Sequence, residues 1–168
     1  MVERIWSGWR AAYVGDAADR RRDEADGATG SVFTEVLASG LPDEETFIVH
    51  RGDHVFAILN IYPYTSGHLL VVPYREVADL ADLTDAETAE FWATVTHAID
   101  VVRRAYIPDG LNVGMNIGRA AGGSITSHLH MHVVPRWTGD SNFVTAIANA
   151  QTLPEPLAAS AARLRSVW

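Results

Sequence analysis

The sequence has no cysteine among its 168 residues. This absence excludes disulfide bonds and metal sites built on thiolate ligands, and it is compatible with a reducing compartment. The sequence also lacks any apolar run near the roughly 20 residues that a membrane-spanning helix needs. Its first residues lack the continuous apolar segment of a signal peptide. We therefore expect a cytoplasmic protein without a membrane partner.

Basic residues are few, since 13 Lys and Arg stand against 21 Asp and Glu and give a net charge of −8. A protein that holds nucleic acid by its backbone needs a basic surface. We therefore predict no nucleic-acid partner. A small anionic substrate remains compatible with this charge, because a pocket can be locally positive on an acidic protein.

The length of the chain fits one compact domain with a single core. A charged stretch rich in alanine and glycine, residues 16–30, differs in composition from the rest. We interpret residues 1–30 as an N-terminal arm and residues 31–168 as a single domain.

The pattern of apolar residues predicts five strands, a long helix and a C-terminal helix. The long helix begins at Thr84, where the S/T-x-x-E pattern up to Glu87 is typical of a capping box. Pro108 and Gly110 end this helix. Strands and helices do not alternate regularly, which favours an α+β fold. The predicted strands are 46–50, 55–61, 68–73, 111–117 and 128–134, and the last helix is 157–167.

Three histidines alternate with apolar residues in the last predicted strand. Side chains two residues apart point to the same face of a strand, so His128, His130 and His132 share one face. Leu129 and Met131 point to the other face, where the long helix covers them. Burying three unpaired imidazoles would be costly. We therefore expect the histidines to line a cleft.

Three interpretations fit this spacing. The histidines could be a hydrogen-bonded structural set, or a metal site, because His-x-His offers two ligands from one strand. Against a metal, no Asp or Glu lies between Gly110 and Gly139. The third interpretation is phosphoryl or nucleotidyl transfer, because neutral imidazole is a good nitrogen nucleophile.

The neighbouring residues favour the third interpretation. Gly122 and Gly123 allow backbone N–H groups to approach an anion closely, and Ser124 follows them. Asn116 offers a neutral hydrogen-bonding side chain from the adjacent strand. Arg136 adds a fork of donors just beyond the histidines.

The segment His128-Leu129-His130-Met131-His132-Val133-Val134 resembles the signature of the histidine triad superfamily, His-φ-His-φ-His-φ-φ with φ apolar. The likeness extends over about residues 31–137, through Asn60 and the segments 66–73 and 112–118. Within the superfamily, segments 60–64, 122–124 and 134–137 resemble the actinobacterial diadenosine tetraphosphate phosphorylases.

The resemblance implies a five-stranded antiparallel sheet that pairs with a second copy into a ten-stranded sheet in a homodimer. It implies that His130 attacks the α-phosphorus of a nucleotide and forms a nucleotidyl-histidine intermediate. His128 and His132 would orient His130 and hold phosphate oxygens, and His68 would support them. Asn116 would bond in the phosphate site.

The resemblance also implies a nucleoside site. Asn60 would bind the ribose hydroxyls. Trp137 would either stack on a base or cap the core. The apolar base pocket would be formed by Val32, Phe33, Leu59 and Ile61.

Two departures from the family pattern carry further predictions. Where hydrolase and phosphoramidase branches have Gly-Gln-Ser/Thr, this chain has Gly123-Ser124-Ile125. This favours the phosphorylase branch, with Ser124 as a donor to inorganic phosphate. Many bacterial members have a zinc-binding Cys-x-x-Cys where this chain has Ser31-Val32-Phe33-Thr34, so we predict no metal.

The leading hypothesis is phosphorolysis of diadenosine tetraphosphate to ATP and ADP, with inorganic phosphate as co-substrate and no cofactor. One alternative is a nucleotide hydrolase or nucleoside phosphoramidase, in which water takes the nucleotidyl group. Another alternative is a nucleotide- or metal-binding module without turnover.

Overall fold

The structure is a computed structural model that describes residues 30–140 and 155–168. The elements below all belong to one compact unit, Gly30–Thr138 with Leu153–Trp168. The helices are α1 (Val32–Ala38), α2 (Asp43–Thr46), α3 (Asp85–Tyr106) and α4 (Leu157–Arg165). The strands are β1 (Ile48–Arg51), β2 (Val55–Leu59), β3 (Leu69–Pro73), β4 (Gly110–Gly114) and β5 (Met131–Arg136).

The five strands form one antiparallel sheet in the order β1-β2-β3-β5-β4. The predicted α+β fold with a five-stranded antiparallel sheet is therefore confirmed. Strand β5 lies between β3 and β4, and His132 pairs with Leu70 on one side and Gly114 on the other. This register places His132 on a central strand of the sheet, between β3 and β4.

One face of the sheet packs against α3. The apolar stripe of this helix includes the buried Phe91, Val95 and Ala98. Leu129 and Met131 lie in the same cluster. The prediction that the long helix covers the residues alternating with the histidines is confirmed.

The other face of the sheet carries a smaller apolar cluster, in which Phe33 of α1 packs on Phe56, Ile58 and Leu70. His132 lies on this face, since it is paired with Leu70 in the register. The sheet thus separates a helix-covered core from the face that holds the histidines.

The ends of α3 agree with the sequence. Thr84 accepts from the backbone N–H of Glu87, and the Glu87 carboxylate accepts from the backbone N–H of Thr84. Arg75 donates to both oxygens of Glu87 and joins this cap to the segment after β3. The helix ends at Tyr106, followed by Ile107 in the left-handed conformation.

Several strand boundaries differ from the prediction. Residues 43–46 form a helical turn, and Phe47 has a φ of 61°, so the first strand begins only at Ile48. Residues 128–130 precede β5, because the backbone N–H of Leu129 donates to Val77 in the segment after β3. The fourth strand ends at Gly114 rather than at residue 117.

Helix α1 was not predicted from the sequence. Its N-cap is Ser31, whose hydroxyl accepts from the backbone N–H of Thr34. The N-terminal arm, residues 1–29 of which lie outside the described residues, stays a prediction. No helix in residues 30–140 and 155–168 is long and apolar enough to cross a membrane.

Candidate active site

The protonation state of His130 follows from one hydrogen bond. Its Nδ1 lies 2.8 Å from the carbonyl oxygen of His128. A carbonyl only accepts, so Nδ1 must carry the proton of the neutral ring. The lone pair of Nε2 is therefore available for attack. The backbone thus holds His130 in the tautomer that a nitrogen nucleophile needs.

A chain of hydrogen bonds sets the tautomers of the next two histidines. The backbone N–H of Tyr64 donates to Nδ1 of His68 over 3.1 Å. His68 must then carry its proton on Nε2, which lies 2.9 Å from Nδ1 of His132. His132 accepts there, so its own proton is on Nε2. Each bond in the chain fixes the direction of the following one.

Nε2 of His132 is buried and has no hydrogen-bond partner among the described residues. A buried N–H without a partner is unfavourable unless a ligand satisfies it. The rings of His130 and His132 lie with their centroids 5.0 Å apart. A nucleophilic nitrogen and an unpaired donor are thus adjacent, which suits attack on a group whose oxygens need a donor.

His128 has contacts that fit one of the two roles expected of it. Its Nε2 donates to the carbonyl of Pro73 over 2.8 Å, and its Nδ1 lies 2.6 Å from Oγ of Ser31. Both ring nitrogens are therefore bonded to protein groups. The prediction that His128 holds phosphate oxygens is corrected, because no ring nitrogen is left for a ligand. The other expected role, orienting His130, is consistent with the contact between the His128 carbonyl and Nδ1 of His130.

Burial keeps the imidazoles neutral. Desolvation lowers the pKa of His130 below its ordinary value of 6.5. Desolvation together with the nearby ring of His130 lowers the pKa of His132 to about 4. The pKa of His68 falls to about 3, chiefly because it is buried. At neutral pH all three rings are therefore uncharged.

Phe33 lies beside two of the triad histidines, and its role in a base pocket stays a prediction. Its ring centroid lies 5.3 Å from those of His128 and of His130. The preceding residue of α1, Val32, lines a groove of about 300 Å³ together with Val36 and Ile61. Val32 and Ile61, two of the residues predicted for the base pocket, thus share one concave surface.

Leu59 does not lie on this surface. It is buried in the core cluster under α3, whereas its neighbour Ile58 packs with Phe33 on the histidine face. The prediction for Leu59 is therefore corrected to Ile58. Alternation along β2 predicts this arrangement. Ile58 and Asn60 point to one face of the strand, and Leu59 between them points to the other.

Asn60 lies at the end of β2, next to the His68 chain. Its Oδ1 accepts from the backbone N–H of Tyr62 over 2.9 Å, and its Nδ2 lies 3.5 Å from Nδ1 of His68. These contacts tie the loop after β2 to the histidines. The predicted contact of Asn60 with ribose stays a prediction.

The glycine segment lies against the end of β4. A Cβ on Gly123 would come within 3.1 Å of the Cβ of Asn116, so the two backbones approach closely here. Gly122 has a φ of 90°, a conformation that favours glycine. Asn116 itself is two residues beyond Gly114, the partner of His132. Ser124 follows Gly123, and the phosphate contacts predicted for this group stay predictions.

Arg136 and Trp137 lie at the far end of β5. Arg136 is four residues, or about 13 Å, along the strand from His132, and it donates to Oδ1 of Asn112 over 2.9 Å. Its predicted contact with phosphate stays a prediction. Trp137 packs edge-on against Tyr106 at the end of α3, with centroids 6.3 Å apart. This contact favours the alternative in which Trp137 caps the core.

Metal ligands are not clustered in the part of the chain that the structure describes. No group of three or more His, Cys, Asp or Glu side chains there could hold a metal ion. Both ring nitrogens of His128 are bonded to protein groups, so this histidine offers no nitrogen to a metal in the described structure.

The antiparallel sheet and the three histidines with fixed tautomers define a histidine triad protein. Residues 42–139 match the HIT domain family. The chain belongs to this family.

Individual relatives agree with this assignment. The chain is 44% identical over its whole length to AP-4-A phosphorylase of Mycobacterium tuberculosis, and it covers 85% of that protein. It is 33% identical over 91 residues to bis(5'-adenosyl)-triphosphatase of Saccharomyces cerevisiae, covering 54% of this chain and 44% of that protein. A zinc-bound histidine triad family protein from Mycobacterium smegmatis has a similar structure, with a TM-score of 0.66 at 29% identity, covering 84% of this chain and 94% of that one.

Proposed function

We propose that the protein catalyses phosphorolysis of diadenosine tetraphosphate to ATP and ADP through a nucleotidyl group on His130. The observation that carries this proposal is the pair of neighbouring rings, 5.0 Å apart, of which His130 has a free electron pair on Nε2 by its tautomer and His132 a buried Nε2–H without a partner among the described residues. The identity of 44% to an AP-4-A phosphorylase supports the choice of substrate and acceptor.

In the first step, Nε2 of His130 attacks the α-phosphorus of the substrate. A P–N bond forms, the bond to the bridging oxygen breaks, and ATP leaves with that oxygen. The Nε2–H of His132 donates to a phosphate oxygen, which stabilises the charge that develops during the displacement. The Nδ1–H of His130 stays bonded to the carbonyl of His128 and stabilises the positive charge on the ring.

In the second step, an oxygen of inorganic phosphate attacks the same phosphorus. The P–N bond breaks, ADP is formed, and His130 returns to its neutral state. Ser124, Asn116 and backbone N–H groups of Gly122 and Gly123 hold the phosphate. Two displacements through a covalent intermediate replace one difficult displacement. Neither step requires a metal or an organic cofactor.

The base of the nucleotidyl group occupies the apolar surface beside the histidines. Phe33 contacts the ring of His130, so a nucleotide with its α-phosphorus at Nε2 reaches this surface with its nucleoside. Val32, Ile58 and Ile61 border the base, and Asn60 binds the ribose. An apolar groove with a few polar groups is typical of small-molecule sites.

Product analysis tests the acceptor. The enzyme is incubated with diadenosine tetraphosphate with and without inorganic phosphate. With phosphate we expect continuous turnover to ATP and ADP in equal amounts, and without phosphate we expect no more than one ATP per enzyme site and no ADP. Turnover that ignores phosphate and yields AMP in place of ADP would contradict phosphorolysis. It would support hydrolysis, which the similarity to a yeast bis(5'-adenosyl)-triphosphatase makes the second candidate.

The family resemblance also supports a homodimer, in which β4 pairs with its copy. Strand β4 is at an edge of the sheet, and an edge strand offers unpaired backbone groups to a partner. Val113 on this strand is 41% exposed, as is Ile117 just beyond it. Pairing through β4 would cover these apolar side chains and extend the sheet to ten strands.

A further inference from the structure

A cluster of polar groups beside His128 extends from the buried Ser31 to the partly buried Glu76 and the exposed Ser127. The backbone N–H of Ser31 donates to Glu76 over 2.9 Å, and the hydroxyl of Ser127 donates to the other carboxylate oxygen over 2.7 Å. Ser31 and His128 are 6% and 1% exposed. Glu76 therefore holds Ser31 directly against the first histidine of the triad.

The hydroxyl of Ser31 bonds the second ring nitrogen of His128 and so holds the ring on both sides. Its Oγ lies 2.6 Å from Nδ1, and the carbonyl of Pro73 requires the proton to be on Nε2. Ser31 must then donate to Nδ1. In the opposite tautomer, the Nε2 lone pair would face the carbonyl oxygen of Pro73 and the two acceptors would repel each other.

The backbone around His128 is held by the same segment. Besides Pro73 and Glu76, Val77 accepts from the backbone N–H of Leu129 over 2.6 Å. The carbonyl that this arrangement fixes is the acceptor for Nδ1 of His130. A continuous path of hydrogen bonds thus runs from Glu76 through Ser31 and His128 to His130.

We infer that Ser31 and Glu76 are positioning residues for nucleotidyl transfer, acting through His128 on the orientation of His130. This inference rests on the proposed function. Ser31 also caps α1, the helix that carries Phe33. One side chain thus links the helix bordering the nucleoside groove to the histidine that orients the nucleophile.

Ser31→Ala tests the inference. It removes the donor to Nδ1 of His128 and leaves a buried acceptor unsatisfied, so His130 loses its fixed alignment. We expect kcat to fall roughly tenfold while KM changes less than about threefold, since one buried hydrogen bond is lost and a tenfold change corresponds to its usual strength. Glu76→Ala keeps the hydroxyl and the cap of α1, and we expect a smaller loss of kcat, about threefold.

Thr84→Ala is the matched control, because it removes an N-cap hydroxyl from α3 without a contact to the histidines. We expect its kcat to be unchanged. If Ser31→Ala and Glu76→Ala also keep the wild-type kcat, the inference is wrong. It is likewise wrong if both variants change only KM. That result would mean that Ser31 affects substrate binding through α1 and not the orientation of His130.

Nitrogen NMR of the histidine rings, recorded without substrate, separates this inference from the proposed function. In the wild-type protein we expect His128 to carry its proton on Nε2, with a hydrogen-bonded Nδ1. In Ser31→Ala we expect Nδ1 of His128 to lose its hydrogen bond and the Nδ1–H signal of His130 to shift or broaden, because the carbonyl that accepts from it is no longer held in one position. Unchanged His130 ring signals in the variant overturn the inference, whatever reaction the wild-type enzyme catalyses.

Discussion

Backbone groups decide which nitrogen of each imidazole carries a proton. The carbonyl oxygen of His128 accepts a hydrogen bond from the Nδ1–H of His130. The backbone N–H of Tyr64 donates to Nδ1 of His68, so this nitrogen carries no proton. His132 then has only one arrangement left, with its proton on Nε2. Burial favours the neutral state of these rings. The fold therefore determines both the orientation of each imidazole and its protonation.

The first prediction concerns the pH dependence of the attack on substrate. Because burial lowers the pKa of His130 below 6.5, its Nε2 stays unprotonated throughout the neutral range. We expect the rate of nucleotidyl-enzyme formation, measured in a single turnover without phosphate, to be nearly constant from pH 7.5 to 8.5. It should decrease only at lower pH. A midpoint above pH 7 would contradict a neutral, desolvated nucleophile.

The second prediction concerns stability at low pH. The pKa of His68 is about 3 in the folded protein and 6.5 as its ordinary value. Between these values the unfolded chain binds a proton that the folded protein does not bind. The free energy of unfolding is therefore unaffected above pH 6.5 and decreases as pH falls below it, by about 1.4 kcal/mol per pH unit for a single group.

Denaturation at a series of pH values measures this dependence. His68→Gln keeps an acceptor and a donor but does not titrate, so we expect a shallower decrease in stability below pH 6.5. His54→Gln, at an exposed position, is the matched control. Equal slopes for His68→Gln and the wild-type protein would show that His68 does not contribute.

At the level of elements, the loop before β3 depends on one glycine. Gly67 precedes His68, has a φ of 79°, and lies against the ring of Tyr106 at the end of α3. A Cβ at this position would lie 2.4 Å from a carbon of that ring. The absence of a side chain thus allows the loop to place His68 in the core.

Gly67→Ala is therefore expected to destabilise the protein by about 2–4 kcal/mol, combining backbone strain with overpacking. Activity should also fall, because His68 shifts relative to His132. Gly40→Ala is the matched control, since Gly40 has a φ of 68° but open space around its Cα. We expect it to cost only about 1 kcal/mol. Equal losses in the two variants, measured by urea denaturation, would contradict the packing argument.

The elements that could be predicted from the sequence are those that depend on residues close to one another along the chain. The capping box at Thr84 marks the start of α3, and alternation of apolar residues places the histidines on one face of the sheet. Helix α1 was not predicted because it is only seven residues long, too short for the spacing of Val32, Phe33, Val36 and Leu37 to distinguish a helix from a strand. The function of Ser31 could not be read from the sequence, since its partner His128 is 97 residues away.

At the level of the whole molecule, the sheet divides the core from the candidate site. The face under α3 is apolar throughout, whereas the opposite face combines Phe33 with the histidines. The edge strand β4 is left with exposed apolar side chains. These features support the proposed pairing of two copies through β4.

The dimer is tested by a charge on the edge strand. In Val113→Lys, we expect sedimentation velocity to show a monomer at concentrations where the wild-type protein is a dimer, because the charge would be buried without a partner. Ala38→Lys, at the exposed last residue of α1, adds the same single charge outside β4 and is the matched control. A dimer of unchanged stability in Val113→Lys would contradict pairing through this strand.

The central claim is that Nε2 of His130 forms a covalent bond with the nucleotidyl phosphorus. The most direct measurement is mass spectrometry of the protein mixed with diadenosine tetraphosphate in the absence of phosphate and quenched without acid. We predict a protein that has gained one adenylyl group, attached to His130 and lost when phosphate is added, and no such group in His130→Ala. ATP release by a wild-type protein that never carries the group, or a His130→Ala variant that keeps full activity, would contradict the account.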